Sequence, residues 1–238
     1  MGRAIGVAAE ARGDAVVAML GSTDARPDAV ELSPLDVTFD FSHADAVVDN
    51  VRLGLSARCL AFVIGTTGLD TLTLRTLNDD IDRAGARAVV APTFSLGAVL
   101  FGELAEQAAR LFGGFSDYDP YVLEHHRRTK PDRPSGTALA IADRLLPHLQ
   151  SKREARLAEG PGAPDPDVLE VVAIRAGASP GMHIVGFDAP GESFEMRITA
   201  RDRSPYVAGA LLAADALVAD PERRGTIDFI SLVRERTA

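Results

Sequence analysis

Four short apolar runs alternate with segments of helical periodicity in the first part of the chain. The runs are "AVVAML" (15–20), "DVTFDFS" (36–42), "CLAFVIG" (59–65) and "ARAVVAP" (86–92). Residues 3–12, 44–55 and 70–85 have the spacing of helices that bury one face. Nearly continuous apolar strands are typical of a parallel sheet covered on both faces. This part predicts an α/β fold with a Rossmann-like parallel sheet.

The pattern changes after Pro92. A longer helix is predicted over 96–112, then a strand (121–126) and a helix (138–149). A Gly/Pro-rich loop leads to three consecutive strands, "VLEVVAIRAG", "GMHIVGFDAP" and "ESFEMRITARD". Consecutive strands indicate a mixed or antiparallel sheet in a second, α+β domain. A helix over 205–220 and a short strand or helix over 226–233 close the chain. We expect one domain from 1–95 with 204–238 and another from 96–203.

Composition excludes several classes of partner. A net charge of -9 and a pI near 5.0 argue against nucleic acid and anionic membranes. Cys59 is the only cysteine and lies in an apolar run, which predicts a core thiol. No His/Asp/Glu group has metal-ligand spacing, so we expect no metal. No apolar run approaches ~18–20 residues and no signal-peptide pattern is present, so we expect a soluble, cytoplasmic protein.

Residues 124–138, "EHHRRTKPDRPSGTA", concentrate basic side chains in an acidic chain that has five histidines. One interpretation is a solvated loop capped by Ser135. The other is a pocket for a small dianion, because Ser135, Gly136 and Thr137 offer hydroxyl and backbone N–H groups at a helix N-terminus. Lys130 adds a cation, and His126 can donate a proton near neutral pH. These groups suit general-acid chemistry on a small acidic substrate, and the residues alone leave both interpretations open.

The pattern E-x-H-x-x-x-K-x-D-x-P-S-G-T-A in this stretch resembles the signature of the dihydrodipicolinate reductase family of the lysine pathway. Other segments resemble the same family in the same order: "VTFDFSHADAV" (37–47), "GTTG" (65–68), "APTFSLGAVL" (91–100) and "RAGASPGMHIVGFDAPGESFEMRITARDR" (175–203). The resemblance spans almost the whole chain. It therefore favours the ligand pocket over the solvated loop.

The resemblance implies NAD(P)H-dependent reduction of 4-hydroxy-tetrahydrodipicolinate (dihydrodipicolinate) to tetrahydrodipicolinate in lysine and diaminopimelate biosynthesis. Hydride goes to C4 of the unsaturated imine, and a protein acid protonates the product. On this basis His126 is the acid, and Lys130 pairs with it. The substrate-binding residues are Arg127, Ser135, Gly136 and Thr137. The family often has a second histidine where Arg127 stands, and arginine can still bind a carboxylate in a bidentate manner.

The resemblance also implies a small dicarboxylate ligand and a homotetramer built through the sheet of the second domain. The implied cofactor-binding residues are Met1, Gly2, Ser22, Thr23, Gly65, Thr66, Thr67, Ala91, Thr93 and Phe94. The family usually has Asn where Thr93 stands, and Phe94 is either a core residue or a ring beside the nicotinamide. His43 is interpreted as a turn residue, and His148 and His183 as structural.

The cofactor preference depends on the residues after the run 15–20. An NAD site usually supplies an acid there for the ribose hydroxyls. This chain has Ser22 and Thr23, with Asp24 about three positions late, and Arg26 could reach a 2′-phosphate. These residues favour NADPH over NADH, and use of both remains open.

The first residues, "MGRAIGVAAEARGD", resemble only the last glycine of the G-x-x-G-x-x-G fingerprint and the helix after it. The strand and the two glycines before it are missing. Three explanations stay open: a start codon assigned too late, tolerated loss with weaker cofactor binding, or loss of reduction. Unpaired ladder groups on neighbouring strands favour the first explanation. The alternative functions are a reductase of another cyclic imine acid and a non-catalytic ligand-binding homologue.

Overall fold

The computed structural model describes residues 1–21, 23–24 and 34–237. They form two compact units. Unit 1 contains Met1–Leu96 and Ser204–Ala238, and unit 2 contains Gly97–Arg203. Within the described ranges, no helix is both long and apolar enough to cross a membrane.

Unit 1 is built on a parallel sheet of four strands in the order β1-β2-β3-β9. The strands are β1 (Thr38–Asp40), β2 (Ala61–Ile64), β3 (Arg87–Val90) and β9 (Gly225–Asp228). Its helices are α1 (Gly2–Ala11), α2 (Ala44–Ser56), α3 (Thr71–Arg83), α6 (Ser204–Ala219) and α7 (Phe229–Thr237). β2 is buried along its whole length, and Phe62 and Ile64 pack into one core with residues of α2 and α3. The predicted parallel α/β sheet is confirmed.

The strand predicted over 15–20 is wrong. These residues adopt no regular structure, and the side chains of Val17, Met19 and Leu20 are 56%, 52% and 52% exposed. Among the described strands β1 is at the edge of the sheet and pairs only with β2, and residues 15–20 pair with no strand. An apolar run becomes a strand only where a neighbour accepts its backbone hydrogen bonds.

Unit 2 contains a mixed sheet of five strands in the order β5-β6-β4-β7-β8. The strands are β4 (Asp119–His126), β5 (Glu154–Leu157), β6 (Val168–Arg175), β7 (Met182–Ala189) and β8 (Glu192–Thr199). Helices α4 (Leu96–Phe112) and α5 (Gly136–Leu145) share a core with Val122, Val171 and Val185 of the sheet. The mixed sheet is confirmed. The short strand β5 was not predicted, because its sequence "EARL" is half charged and has no apolar run.

Candidate active site

Four ionisable side chains meet on three neighbouring strands of unit 2. Glu124 and His126 lie on the face of β4 that turns towards the helices, because alternate residues of a strand share a face. His183 of β7 is the register partner of Glu124, and Arg175 of β6 is the partner of His126. All four are largely removed from solvent, and Glu124 is 0% exposed. The sheet thus brings together one acid, one guanidinium and two imidazoles.

Glu124 accepts hydrogen bonds on both carboxylate oxygens. Oε2 accepts from Nδ1 of His126. Oε1 accepts from the backbone N–H of Ser135 at 3.0 Å and from Nη2 of Arg175 at 2.7 Å. Burial acts to raise the pKa of Glu124, but these hydrogen bonds outweigh it and lower the pKa to about 2. The buried carboxylate is therefore ionised at neutral pH.

His126 has one ring nitrogen engaged and one open. Nδ1 is bound to Glu124, while Nε2 has no hydrogen-bond partner among the described residues. Nε2 faces Gly181, where an added methyl group would lie 2.9 Å from it. Gly181 also has a φ of +155°, which favours glycine. Nε2 is thus the atom that can exchange a proton with a bound molecule.

His183 packs edge-on against His126, with ring centroids 5.3 Å apart. Its Nδ1 is buried and has no hydrogen-bond partner in the described part of the chain. Burial, followed by the nearby His126, lowers the pKa of His183 to about 4, so its imidazole is neutral at neutral pH. The sequence analysis interpreted His183 as structural and did not predict that it adjoins His126, because a strand pattern does not identify the register partner.

Lys130 pairs with the carboxylate of Asp132 in the loop before α5. Nζ of Lys130 lies 2.7 Å from Oδ1 of Asp132. Burial acts to raise the pKa of Asp132, but the hydrogen bond from Lys130 and a smaller contribution from the backbone N–H of Gly136 lower it. The ammonium group of Lys130 is therefore already engaged by a carboxylate of this chain. Gly136 is exposed, and a methyl group there would contact nothing within 4 Å.

The other predicted substrate-binding residues differ in accessibility. Arg127 is exposed, and its guanidinium forms no ion pair with any residue that the structure describes. Thr137 is half-buried. Ser135 is only 2% exposed, because its Oγ caps α5 by accepting from the N–H of Ala138 at 3.2 Å. Ser135 thus supports Glu124 and the helix from within the protein.

Unit 1 contains a cleft of about 260 Å³ at the carboxyl ends of β1, β2 and β3. Its lining residues are Met1, Phe41, Ser42, Gly65, Thr66, Thr67, Pro92, Thr93, Phe94 and Tyr206. In open α/β sheets, ligands bind at this end of the strands. Most of the predicted cofactor-binding residues line this cleft. Gly2, Thr23 and Ala91 are not among its lining residues, and Ser22 lies outside the described residues, as does Arg26.

Buried Asp40 connects two walls of the cleft. Its carboxylate accepts hydrogen bonds from the hydroxyl of Thr66, the N–H of Ser42 (3.1 Å) and the side-chain amide of Asn50 (2.7 Å). The sequence analysis assigned no role to Asp40, because it lies inside a predicted strand. Its position, close to the end of an apolar run, was the available signal.

Glycine and aromatic residues shape the rest of the cleft. The ring of Phe41 lies so close to Gly65 that an added methyl group would be 2.0 Å from it. Phe94 is 1% exposed and packs against Phe41 and Phe229, with centroid distances of 5.6 Å and 4.9 Å. Phe94 is therefore a core residue that also reaches the wall of the cleft. Among the described residues, no three His, Cys, Asp or Glu side chains are grouped to hold a metal ion.

Comparisons with known proteins match both units. Family models described as "Dihydrodipicolinate reductase, N-terminus" and "Dihydrodipicolinate reductase, C-terminus" match residues 2–94 and 97–231. A 4-hydroxy-tetrahydrodipicolinate reductase of Methanopyrus kandleri is 37% identical over 78% of this chain and 67% of its own length. One of Cutibacterium acnes is 31% identical over 93% of this chain and 90% of its own.

A solved structure has the same fold. The dipicolinate-bound dihydrodipicolinate reductase from Paenisporosarcina sp. TG-14 superposes with a TM-score of 0.63 at 24% identity. The superposition covers 81% of this chain and 71% of that one.

Proposed function

The chain belongs to the dihydrodipicolinate reductase family of oxidoreductases in lysine and diaminopimelate biosynthesis, and we propose that it reduces 4-hydroxy-tetrahydrodipicolinate to tetrahydrodipicolinate with a nicotinamide cofactor. One observation carries the proposal. Ionised Glu124 holds His126 with Nε2 open, on the same unit as Lys130, which pairs with a carboxylate. A proton donor and an anion site are the groups that reduction of an imine dicarboxylate requires from the protein.

The cleft in unit 1 fits a nicotinamide cofactor, which supplies a hydride to C4 of the substrate when bound. The cleft lies at the carboxyl ends of three parallel strands and beside Met1, the N-cap of α1. A helix N-terminus favours phosphate groups. Thr67 and Thr93 line the cleft, and Phe41 and Phe94 give it apolar walls. Unit 1 is therefore the cofactor-binding domain of this proposal, and unit 2 the substrate-binding domain.

NADPH is the favoured cofactor. The carboxylate of Asp24 accepts the N–H of Gly21 at 2.6 Å, so this acid is engaged in a local turn. An acid held in this way is a poor partner for the ribose hydroxyls of NADH. Thr23 is exposed beside it.

His126 is the proposed general acid, donating from Nε2 after hydride transfer. Lys130, Gly136 and Thr137 bind one substrate carboxylate, which replaces Asp132 as the partner of Lys130. Arg127 is a bidentate partner for a carboxylate. Dipicolinate, which is bound in the structural neighbour from Paenisporosarcina sp. TG-14, is a planar dicarboxylate of this kind.

The sheet of unit 2 has one face turned away from α4 and α5. Leu123 and Ile184 are register partners on this face, and Ile174 is 39% exposed there. We assign this face to contacts between copies of the chain in a homotetramer. Multi-angle light scattering of the purified protein tests the assignment, and a monomer at micromolar concentration would contradict it.

A steady-state assay tests the function. The purified chain receives 4-hydroxy-tetrahydrodipicolinate, generated enzymatically, and either NADPH or NADH. Pyrroline and piperideine carboxylates serve as competing cyclic imine acids. We expect the highest kcat/KM with 4-hydroxy-tetrahydrodipicolinate and NADPH. Preference for another imine would identify a different reductase. Cofactor binding without turnover of any of these imines, or no binding, would overturn the reductase proposal.

A further inference from the structure

We propose that Glu124 is a positioning residue of the reaction: it fixes Nε2 of His126 as the proton-donating atom and holds the substrate-binding start of α5 in place relative to it. This inference rests on the proposed function, in which His126 is the acid. Glu124 does not contact the substrate in this scheme, because it is completely buried.

The first step concerns the proton. A carboxylate only accepts hydrogen bonds when it is ionised, so Nδ1 of His126 must be the donor in its contact with Oε2. Neutral His126 is thereby held in one tautomer, with the lone pair on Nε2. When His126 is charged, the buried anion stabilises the imidazolium, whose second proton is on Nε2. The same orientation therefore serves proton uptake and proton donation.

The second step concerns the anion site. Oε1 of Glu124 accepts the N–H of Ser135, the N-cap of α5. The carboxylate that orients the acid is therefore also bonded to the first turn of the substrate-binding helix. A shift of Glu124 would change the distance between proton donor and substrate. Positioning errors of about 1 Å can cost about 10²-fold in rate.

Arg175 extends this connection to the loop that carries Lys130. Its Nη2 donates both to Oε1 of Glu124 and to the backbone carbonyl of Asp132. Asp132 in turn binds Lys130 at 2.7 Å. The guanidinium of Arg175 therefore contacts both Glu124, which holds His126, and Asp132, which pairs with Lys130.

The charged and titratable groups around His126 come from every element packed against it. Glu124 is on its own strand, Arg175 on β6 and His183 on β7, while Lys130 and Asp132 are on the loop before α5. His183 is neutral at neutral pH. Glu124 is therefore the one buried anion in direct contact with His126 among the described residues.

The decisive variant is Glu124→Gln. Its amide oxygen can still accept from Ser135 and Arg175, which leaves the amide NH2 facing Nδ1 of His126. This NH2 cannot accept the Nδ1 proton, so the imidazolium loses its support. We expect kcat to fall about 10²-fold at neutral pH. The loss of activity with rising pH should begin at a lower pH than in the wild type. KM should change by less than about threefold, because the contact with Ser135 is retained.

Two further variants separate the two roles. Arg175→Lys keeps a charge near Glu124 on a shorter side chain, which we expect to weaken at least one of the two contacts made by Nη2, so KM should rise several-fold while the pH profile stays in place. Glu159→Gln, an exposed glutamate of the same unit, is the matched control and should behave as wild type. Melting temperature and NADPH binding are measured for every variant.

The outcomes are distinct. If the wild type does not reduce the substrate, the proposed function fails. If the wild type is active and Glu124→Gln has an unchanged pH profile and kcat, the inference is overturned. A purely structural role would lower the melting temperature and raise KM without moving the pH profile. If the Gln variant does not fold, Glu124→Asp gives the answer: a retained pH profile with lower kcat supports the inference, and an unchanged kcat overturns it.

Discussion

Gly181 leaves no room for a side chain beside Nε2 of His126, the nitrogen that we assign to proton donation. A methyl group on Gly181 would be 2.9 Å from this atom, closer than real side-chain contacts allow. Only glycine at position 181 therefore leaves the imidazole of His126 in its observed position. The position of the His126 ring therefore also depends on the loop that contains Gly181, although this loop contributes no charged group to the site.

Gly181→Ala should displace the ring of His126 and lower kcat at least about tenfold. Gly177→Ala is the control, because Gly177 in the same loop also has a positive φ (+57°) but open space around it. Both variants carry backbone strain, and only the first one contacts the ring. Equal kcat values for the two variants would show that the contact does not matter.

His126→Ala should reduce kcat by about 10²- to 10⁴-fold, the range of general acid catalysis. NADPH binding, measured by calorimetry, should stay close to that of the wild type, because the cofactor cleft is lined by residues of unit 1. Full activity of this variant would refute the assignment of the acid.

Lys130→Ala should lower kcat and raise KM together, since the lysine is expected to bind a substrate carboxylate and to stabilise developing negative charge. Lys152→Ala is not a suitable control because Lys152 is buried and paired with Asp119. Arg153→Ala, a largely exposed cation, is the better comparison. Unchanged kcat and KM in Lys130→Ala would remove this residue from the site.

The free energy of unfolding should fall as the pH drops from about 6.5 to about 4. His183 has a pKa of about 4 in the folded protein against 6.5 ordinarily, so the unfolded chain binds its proton first. Stability from this group is fully present above pH 6.5, and the loss amounts to about 3 kcal/mol at most. Glu124, with its pKa lowered from 4.5 to about 2, adds a second loss between these values.

Denaturant unfolding at pH 7 and pH 5 measures this effect in the wild type and in His183→Gln. The variant should lose most of the difference between the two pH values. His43→Gln is the control, because His43 is exposed and its side chain caps nothing. A pH dependence that is the same in His183→Gln and the wild type would contradict the prediction.

Gly65→Ala should lower NADPH affinity at least about tenfold or destabilise unit 1, because the new methyl group would collide with Phe41. Gly68→Ala is the control, with a positive φ but nothing within 4 Å of the added group. Calorimetric titration with NADPH compares the two variants. Equal affinities would show that Phe41 can move without cost to the cleft.

The periodicity of apolar residues was sufficient for the parallel sheet, the mixed sheet and most helices. It failed at 15–20. An apolar run indicates that a segment can form a strand, but it does not show whether a neighbouring strand is present to pair with it. It also missed β5, which is a short, partly charged strand whose position depends on pairing with β6. Both errors concern pairing with other strands, which a local pattern does not specify.

For the site, the signature in 124–138 was sufficient to name His126 and Lys130 as candidates. It did not predict that Glu124 is completely buried, or that Arg175 and His183 adjoin it. These contacts depend on the register of β4 with β6 and β7, which no local pattern specifies. Asp40 was missed for a similar reason, because its partner Thr66 follows a different strand.

Unit 1 is formed by two segments of the chain that are separated by the whole of unit 2. Its strand β9 pairs with β3, and α6 packs against β2, yet both are made after residue 203. During translation, all residues of unit 2 are therefore synthesised before the last strand of the unit 1 sheet is available to pair. Unit 1 contains the first residues of the chain, yet it is the last unit able to finish folding.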